Sequence, residues 1–251
     1  MLLSGVLQAS IARAQATEPD AIARKAYAAR HDRVYLLGGA ASAAYGDLND
    51  RLPAAYPRLR TGALLLGAGY GQGFGPFGAS VEYRWGIRSN QDDSTRAYTS
   101  LRSHSLSLLF SYHLAVRGVY AVSVFAGPTY SVIDLTLRDK EPRRSLVGSF
   151  DATTATGGDR RRLYQNVGLL GAGFQVDRHL AWGRRNDVQA CGRARQLTVG
   201  LRAQFDYRLK SGQWRTERPL FRTPRRLGVE PDINPLAFSA ALVVGGLFSR
   251  Y

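Results

Sequence analysis

The chain has 251 residues with 27 glycines, and its 34 Lys and Arg against 19 Asp and Glu give a formal charge of +15. No stretch offers the roughly 18 consecutive apolar residues that a membrane helix needs, which excludes a helical membrane protein, and the single Cys191 excludes an internal disulfide framework or a cysteine-built zinc cluster. The mean hydropathy of −0.22 does not exclude a membrane barrel, because only alternate residues of each barrel strand meet lipid.

In chain order, residues 1–16 (MLLSGVLQASIARAQA) resemble a secretory signal, with Ala14 and Ala16 as the small residues before a cleavage point. No Lys or Arg precedes Leu2, so either the signal is weak or the start lies downstream of the true one. Residues 17–33 form a basic mature segment of helical propensity, and 34–251 form one β-barrel domain. The first two strands are expected at about 34–43 (VYLLGGAASA) and 62–71, both glycine-rich. Glycine at those positions relieves crowding in a narrow, strongly bent sheet.

The third strand, ASVEYRWGIR, sets Val81, Tyr83, Trp85 and Ile87 against Ser80, Glu82, Arg84, Gly86 and Arg88. The fourth, SLSLLFSYHL, sets Leu106, Leu108, Phe110, Tyr112 and Leu114 against Ser105, Ser107, Leu109, Ser111 and His113. A fifth strand at 119–135 contains Pro128, which lacks a ladder donor, so an irregularity is expected near Gly127 and Pro128. A sixth covers 163–176. The seventh, QLTVGLRAQFDYRL, carries Leu197, Val199, Leu201, Ala203, Phe205, Tyr207 and Leu209 on one parity and Arg202, Asp206 and Arg208 on the other. An eighth covers 237–251. Tyr251 shares its parity with Ser249, while Phe238, Leu242, Val244 and Phe248 take the other.

At about 13 residues the seventh strand exceeds the usual length of soluble strands and suits a tilted membrane crossing of about 9 to 11 residues. The connections run long (44–61), short (72–78), long (89–104), short (115–118), long (136–162), intermediate (177–195) and long (210–236). Short turns on one side and long loops on the other, with an even strand number, predict an eight-stranded antiparallel up-and-down transmembrane β-barrel. Its lipid-facing set is Val81, Tyr83, Trp85, Leu106, Leu108, Phe110, Tyr112, Leu201, Phe205 and Tyr207. So narrow a barrel is filled by side chains. Charges inside it must pair, and the expected lumen network is Glu82, Arg84, Arg88, His113, Arg202, Asp206 and Arg208. The rival fold is a soluble eight-stranded carrier of lipocalin type, with every strand's faces reversed.

The order GAGYG, VEYRWGIRS, a polar loop, LSLLFSYHL, VFAGPTYSV, NVGLLGAGFQV and a last apolar strand ending in Tyr251 resembles the outer-membrane β-barrel domain family that includes the PorT-like proteins. More distantly it resembles the eight-stranded OmpA and OmpX barrels. The likeness covers nearly all of the mature chain. It implies a bacterial outer-membrane location, contact with the barrel-insertion machinery through the C-terminal strand, and an accessory role in protein secretion as one specialisation.

For chemistry, the four histidines are His31, His104, His113 and His179. Ser103–His104–Ser105 invites comparison with outer-membrane lipid hydrolases, but strand neighbours point to opposite faces, so they cooperate only if the backbone there is loop. Asp92 and Asp93 form a solvated loop tip. The Gly67–Gly75 run lacks the helix and lysine of a phosphate loop. The expectation is therefore no enzyme, no cofactor and no metal. The basic runs RDKEPRRS, GGDRRRL, AWGRRNDVQACGRAR and RTERPLFRTPRRLG suit phosphorylated lipopolysaccharide rather than nucleic acid on a secreted barrel. The leading expectation is a non-enzymatic outer-membrane barrel with a filled lumen, acting structurally or through its loops on an envelope partner. A narrow porin-like channel for small solutes is the alternative.

Overall fold

The structure, a computed structural model, describes residues 30–43, 45–52, 56–92, 97–117, 119–139, 160–181, 193–212, 214 and 236–250. Eight strands are present: β1 (Arg30–Ala43), β2 (Gly62–Phe74), β3 (Phe77–Asp92), β4 (Ala97–Arg117), β5 (Tyr120–Asp139), β6 (Arg160–Ala181), β7 (Arg193–Ser211) and β8 (Leu236–Arg250). Each pairs antiparallel with its sequence neighbour, and β8 closes on β1, so the sheet is a closed eight-stranded up-and-down barrel without an edge. A short helix, α1 (Gly46–Arg51), lies between β1 and β2.

Partners followed once around the wall define its slope. From Asp32 they run through Gln72, Ala79, Phe110, Ala126, Ala172, Phe205 and Phe238, and return to β1 at Ser42. The sheet thus closes ten residues further along (42 − 32), and for eight strands that stagger corresponds to a tilt of about 40°.

All eight expected strands form, seven of them longer than their patterns suggested and β8 of the expected length, shifted by one residue. β1 starts at Arg30 rather than Val34. β3 and β4 continue until only residues 93–96 separate them, so the long third loop expected at 89–104 is mostly ladder, with Asn90 opposite Thr99 and Asp92 opposite Ala97. No glycine or proline interrupts those residues, and the hairpin keeps pairing beyond its apolar part. Residues 75–76 make a tight turn at one end, and Val119 is a turn residue at the same end. Gly75 has φ 57° and precedes Pro76, a pairing that fits a type II′ hairpin turn.

At Gly127 and Pro128 the expected irregularity is a gap in the β4–β5 pairing rather than a change of register, because neither residue has a partner on β4. The register is the same on both sides of it, with Ser107 opposite Thr129 and Phe110 opposite Ala126, and the shift falls between His113 and Ala115. A second shift separates Gly168 from Leu169. Gly127 matters sterically: a Cβ there would lie 1.9 Å from the Leu108 carbonyl oxygen, so β4 and β5 approach each other through a residue that has no side chain.

The same principle fills the interior. Tyr35 lies opposite Gly69 and Gly245, and Asp177 opposite Gly200. A Cβ on Gly69 would come within 2.3 Å of the Tyr35 ring, and one on Gly200 within 2.2 Å of the Asp177 carboxylate. Large inward side chains thus occupy volume vacated by cross-strand glycines.

Candidate functional site

Parity sorts the wall into two unlike surfaces. Leu201 is 67% exposed and Phe205 46%, while Arg202 and Asp206 between and beside them are each 8%. Val81, Tyr83, Leu106, Leu108, Phe110, Tyr112 and Tyr207 are also exposed, and Trp85 is half-buried on the same outward parity. Val34, Leu36, Leu64, Leu66, Phe174, Leu242 and Val244 extend this apolar belt over β1, β2, β6 and β8. Ring pairs reinforce it, with Phe77 against Tyr112 and Phe205 against Phe238 at centroid distances of 5.2 and 5.1 Å.

The mid-interior is ionic. Arg84 donates to Asp206 at 2.9 Å and to the Ser107 hydroxyl at 3.2 Å, and Thr129 donates to that same hydroxyl. Glu82, fully buried, accepts from Tyr35 at 2.9 Å and from Arg202, and its other oxygen lies 3.5 Å from Arg84 Nε. Arg202 also donates to Gln175, whose amide donates to Asp177, and Asp177 takes a bidentate grip from Arg33 at 2.8 and 2.9 Å. Three guanidiniums therefore face three carboxylates in one connected network. Arg202 also stacks over the rings of Tyr35 and Phe125 at 5.2 and 4.7 Å. Removing one member would strand a charge in a medium that solvates it poorly.

The network holds Glu82, Arg84, Arg202 and Asp206 of the expected set. Arg88 stands apart near the loop end: it donates to the Gly62 and Thr61 carbonyls and lies 4.3 Å from the Tyr45 ring centroid. His113 lies near the turn end, its ring 5.8 Å from that of His31. Arg208 is half-buried on the inward parity of β7. Sequence reasoning missed Arg33, Asp177, Gln175 and Tyr35. The first two lay just beyond the strand ends drawn from the pattern, and continuing the β6 alternation through Gln175, Asp177 and His179 would have found Asp177. Tyr35 was hidden in a strand apolar on both parities.

At the loop end the interior is apolar. Leu48 of α1, with Leu52, Tyr56 and Leu59, packs on Leu101, Leu135, Leu137 and Leu163 of the wall and on Trp214. Asn49 exchanges two hydrogen bonds with the Leu59 backbone, fixing the loop as an inward-folded plug. Tyr45 is partly buried beside it, and burial raises its phenol pKa above the ordinary 10.0 while the Arg88 charge opposes that shift. At the turn end lies a cavity of about 50 Å3 lined by residues including His31, Arg33, Ser111, His113, Ser123 and Arg202.

The hydrolase arrangement is not assembled. β4 is continuous through residues 97–117, which puts His104 outward while Ser103 and Ser105 take the inward parity, and His104 Nδ1 is 2.6 Å from the Tyr83 hydroxyl. Cys191, Asp93, Tyr251 and most of the basic runs lie outside the described residues. Among the described residues no group of three or more metal-ligating side chains converges, and no helix is long and apolar enough to cross a membrane.

No protein-family model and no curated protein matches the chain. Solved structures similar to it include Neisserial surface protein A, at 9% identity over 88% of this chain and 97% of that one, with a TM-score of 0.41. Another is the attachment invasion locus protein Ail of Yersinia pestis, solved with the heparin analogue sucrose octasulfate, at 7% identity over 87% and 97%, TM-score 0.39. A third is a major outer membrane protein of Thermus thermophilus, at 10% identity over 88% and 99%, TM-score 0.43.

Proposed function

We propose that the chain is an integral outer-membrane β-barrel protein, non-enzymatic, whose filled interior holds the wall rigid while its loops meet partners. The observation that carries this reading is the inverted surface: Leu201 and Phe205 outward, Arg202 and Asp206 inward. A soluble carrier buries its apolar face around a ligand and solvates its charges, the opposite arrangement. Soluble monomers rarely expose large contiguous apolar patches, whereas a belt of large exposed hydrophobics runs around this closed wall, as on a lipid-facing barrel.

The leading reading has a closed lumen rather than a channel. The plug of Leu48, Leu52 and Trp214 covers one end, and the network of Glu82, Arg84, Arg202 and Asp206 crosses the middle. The loops, with their basic runs, are assigned to phosphorylated lipopolysaccharide, whose phosphates match the forked donors of arginine. The outward series Phe238, Leu242, Val244 and Phe248 on β8 is the surface offered to the barrel-insertion machinery.

Reconstitution with brominated lipid tests the reading. A tryptophan placed at Leu201 should be strongly quenched by bromine on the acyl chains, and the same protein in a planar bilayer should pass no current. An unquenched tryptophan at 201 refutes the membrane assignment, and steady single-channel conductance refutes the closed lumen in favour of a narrow porin-like channel.

A further inference from the structure

Three arginines take consecutive places in one cross-strand row at the turn end of the wall. Arg250 of β8 stands opposite Arg193 of β7 on one side and opposite Arg30 of β1 on the other. Arg195 follows two residues along β7, opposite Phe248. All four share the parity of the exposed residues of their strands, that of Val34, Leu201 and Phe248. Neighbouring strands lie about 4.8 Å apart, so the row sets three arginine backbones within about 10 Å. Like charges directly opposite one another destabilise a sheet. Among the described residues the only acid on the outward parity at this end is Asp32, whose carboxylate accepts from the Tyr70 hydroxyl at 3.1 Å and forms no ion pair with Arg30. The row therefore calls for an anion from outside the wall.

Its depth says which anion. From Arg30 the same row continues through Phe74, Phe77 and Tyr112, all exposed. Exposed rings of this kind settle where hydrocarbon meets headgroups, which sets the arginines at headgroup depth.

We infer that the outward turn-end face of β7, β8 and β1 is a docking site for the phosphodiester headgroup of an anionic phospholipid in the leaflet on that side. This rests on the membrane reading above. Short turns mark the periplasmic side of an outer-membrane barrel, so the leaflet is the inner one and its lipid is not lipopolysaccharide. Arg193 and Arg195 close the basic run AWGRRNDVQACGRAR, and the strand order puts them on the side opposite the long loops. Forked guanidinium donors match phosphate oxygens, and a headgroup of net negative charge supplies the missing counter-charge, whereas the amine of a zwitterionic lipid is repelled. Exposed arginines also recur on the far side of the rim, where Arg117 and Arg178 flank the exposed Tyr120. A leaflet surrounds the whole wall, while a docked protein covers one sector.

Native mass spectrometry of the full chain, folded in neutral detergent, tests this by counting bound lipids, with every variant first checked for heat-modifiable mobility. The parent should retain phosphatidylglycerol at least tenfold more tightly than phosphatidylcholine. Arg30→Gln, Arg193→Gln and Arg250→Gln together should cut that retention at least fivefold. Removing the same charge from exposed loop-end positions, with Arg60→Gln, Arg102→Gln and Lys210→Gln, should leave it intact. Arg250→Gln alone relieves the central like-charge contact, so it should raise the temperature of the gel-mobility shift without lipid and lose the further rise that phosphatidylglycerol gives the parent. Equal losses in both triple variants would assign the preference to net charge and overturn the site. Displacement of the lipid by millimolar inorganic phosphate or by an acidic peptide would reassign the row to a soluble anion or a protein partner and overturn it as well. A heat-modifiable parent without any lipid preference refutes the site alone. A parent recovered as a water-soluble chain with one mobility refutes the membrane reading and the site together.

Discussion

Replacing Glu82 by glutamine removes one negative charge from the most buried part of the network while keeping the side chain's shape. Glu82 is fully buried and accepts from Tyr35 and Arg202, with Arg84 close to its second oxygen. Arg84 keeps Asp206, but Arg202 loses its carboxylate partner and is left with neutral ones, Gln175, Tyr35 and the new side-chain amide at position 82. Breaking one side of a buried pair costs about 3 to 5 kcal/mol, because the surviving charge stays desolvated. Solvent screening does not reduce this figure much, since Arg202 is itself only 8% exposed. The assay is urea unfolding of the barrel in lipid vesicles, followed by tryptophan fluorescence and gel mobility. The double variant Glu82→Gln with Arg202→Met removes the stranded charge and should recover at least half of the loss. A single variant within about 0.5 kcal/mol of the parent, or a double variant less stable than the single, would refute the claim that paired charges organise the interior.

Leu201→Arg puts a charge in the outward belt and should cost about 2 to 4 kcal/mol near the bilayer midplane, seen as failure to reach the heat-modifiable form; in a water-facing wall the same change would be almost silent. Gly69→Val should block closure, because the first added carbon already lies within 2.3 Å of the Tyr35 ring, and Tyr35→Ala in the same chain should partly restore folding yield. Leu48→Ala should loosen the plug by about 2 to 4 kcal/mol and expose residues 46–59 to protease without unfolding the barrel. For Tyr45, the raised phenol pKa means that its contribution to the plug is intact below about pH 10 and is lost as pH rises and the phenol ionises. Tyr45→Phe should abolish that alkaline loosening, measured by proteolysis of the same segment.

The fold was legible because β3, β4 and β7 alternate without interruption, so parity alone named the outward and inward residues around Tyr83, Phe110 and Arg202. Strand ends were less legible. The Asn90–Thr99 ladder is polar on both faces, and polarity marks a loop in a pattern search although hydrogen bonding continues through it. The interior partners were partly hidden for a related reason: parity tells which residues point inward but not which of them share a level. Glu82 meets Arg202 across the barrel, 120 residues away, only because the stagger of the wall places β3 and β7 at matching heights. Arg88 and His113 share that inward parity yet lie toward opposite ends. The plug was invisible, since Leu48, Leu52, Tyr56 and Leu59 have no strand period, and the short helix that carries Leu48 has no side-chain cap to announce it.

The central claim is that the apolar parity faces lipid. Cells expressing the full chain should be fractionated and each fraction run on gels with and without boiling. The account predicts a band in the outer-membrane fraction alone, migrating faster unboiled because the closed wall resists detergent. Recovery in the soluble periplasm, with one mobility before and after boiling, would contradict it.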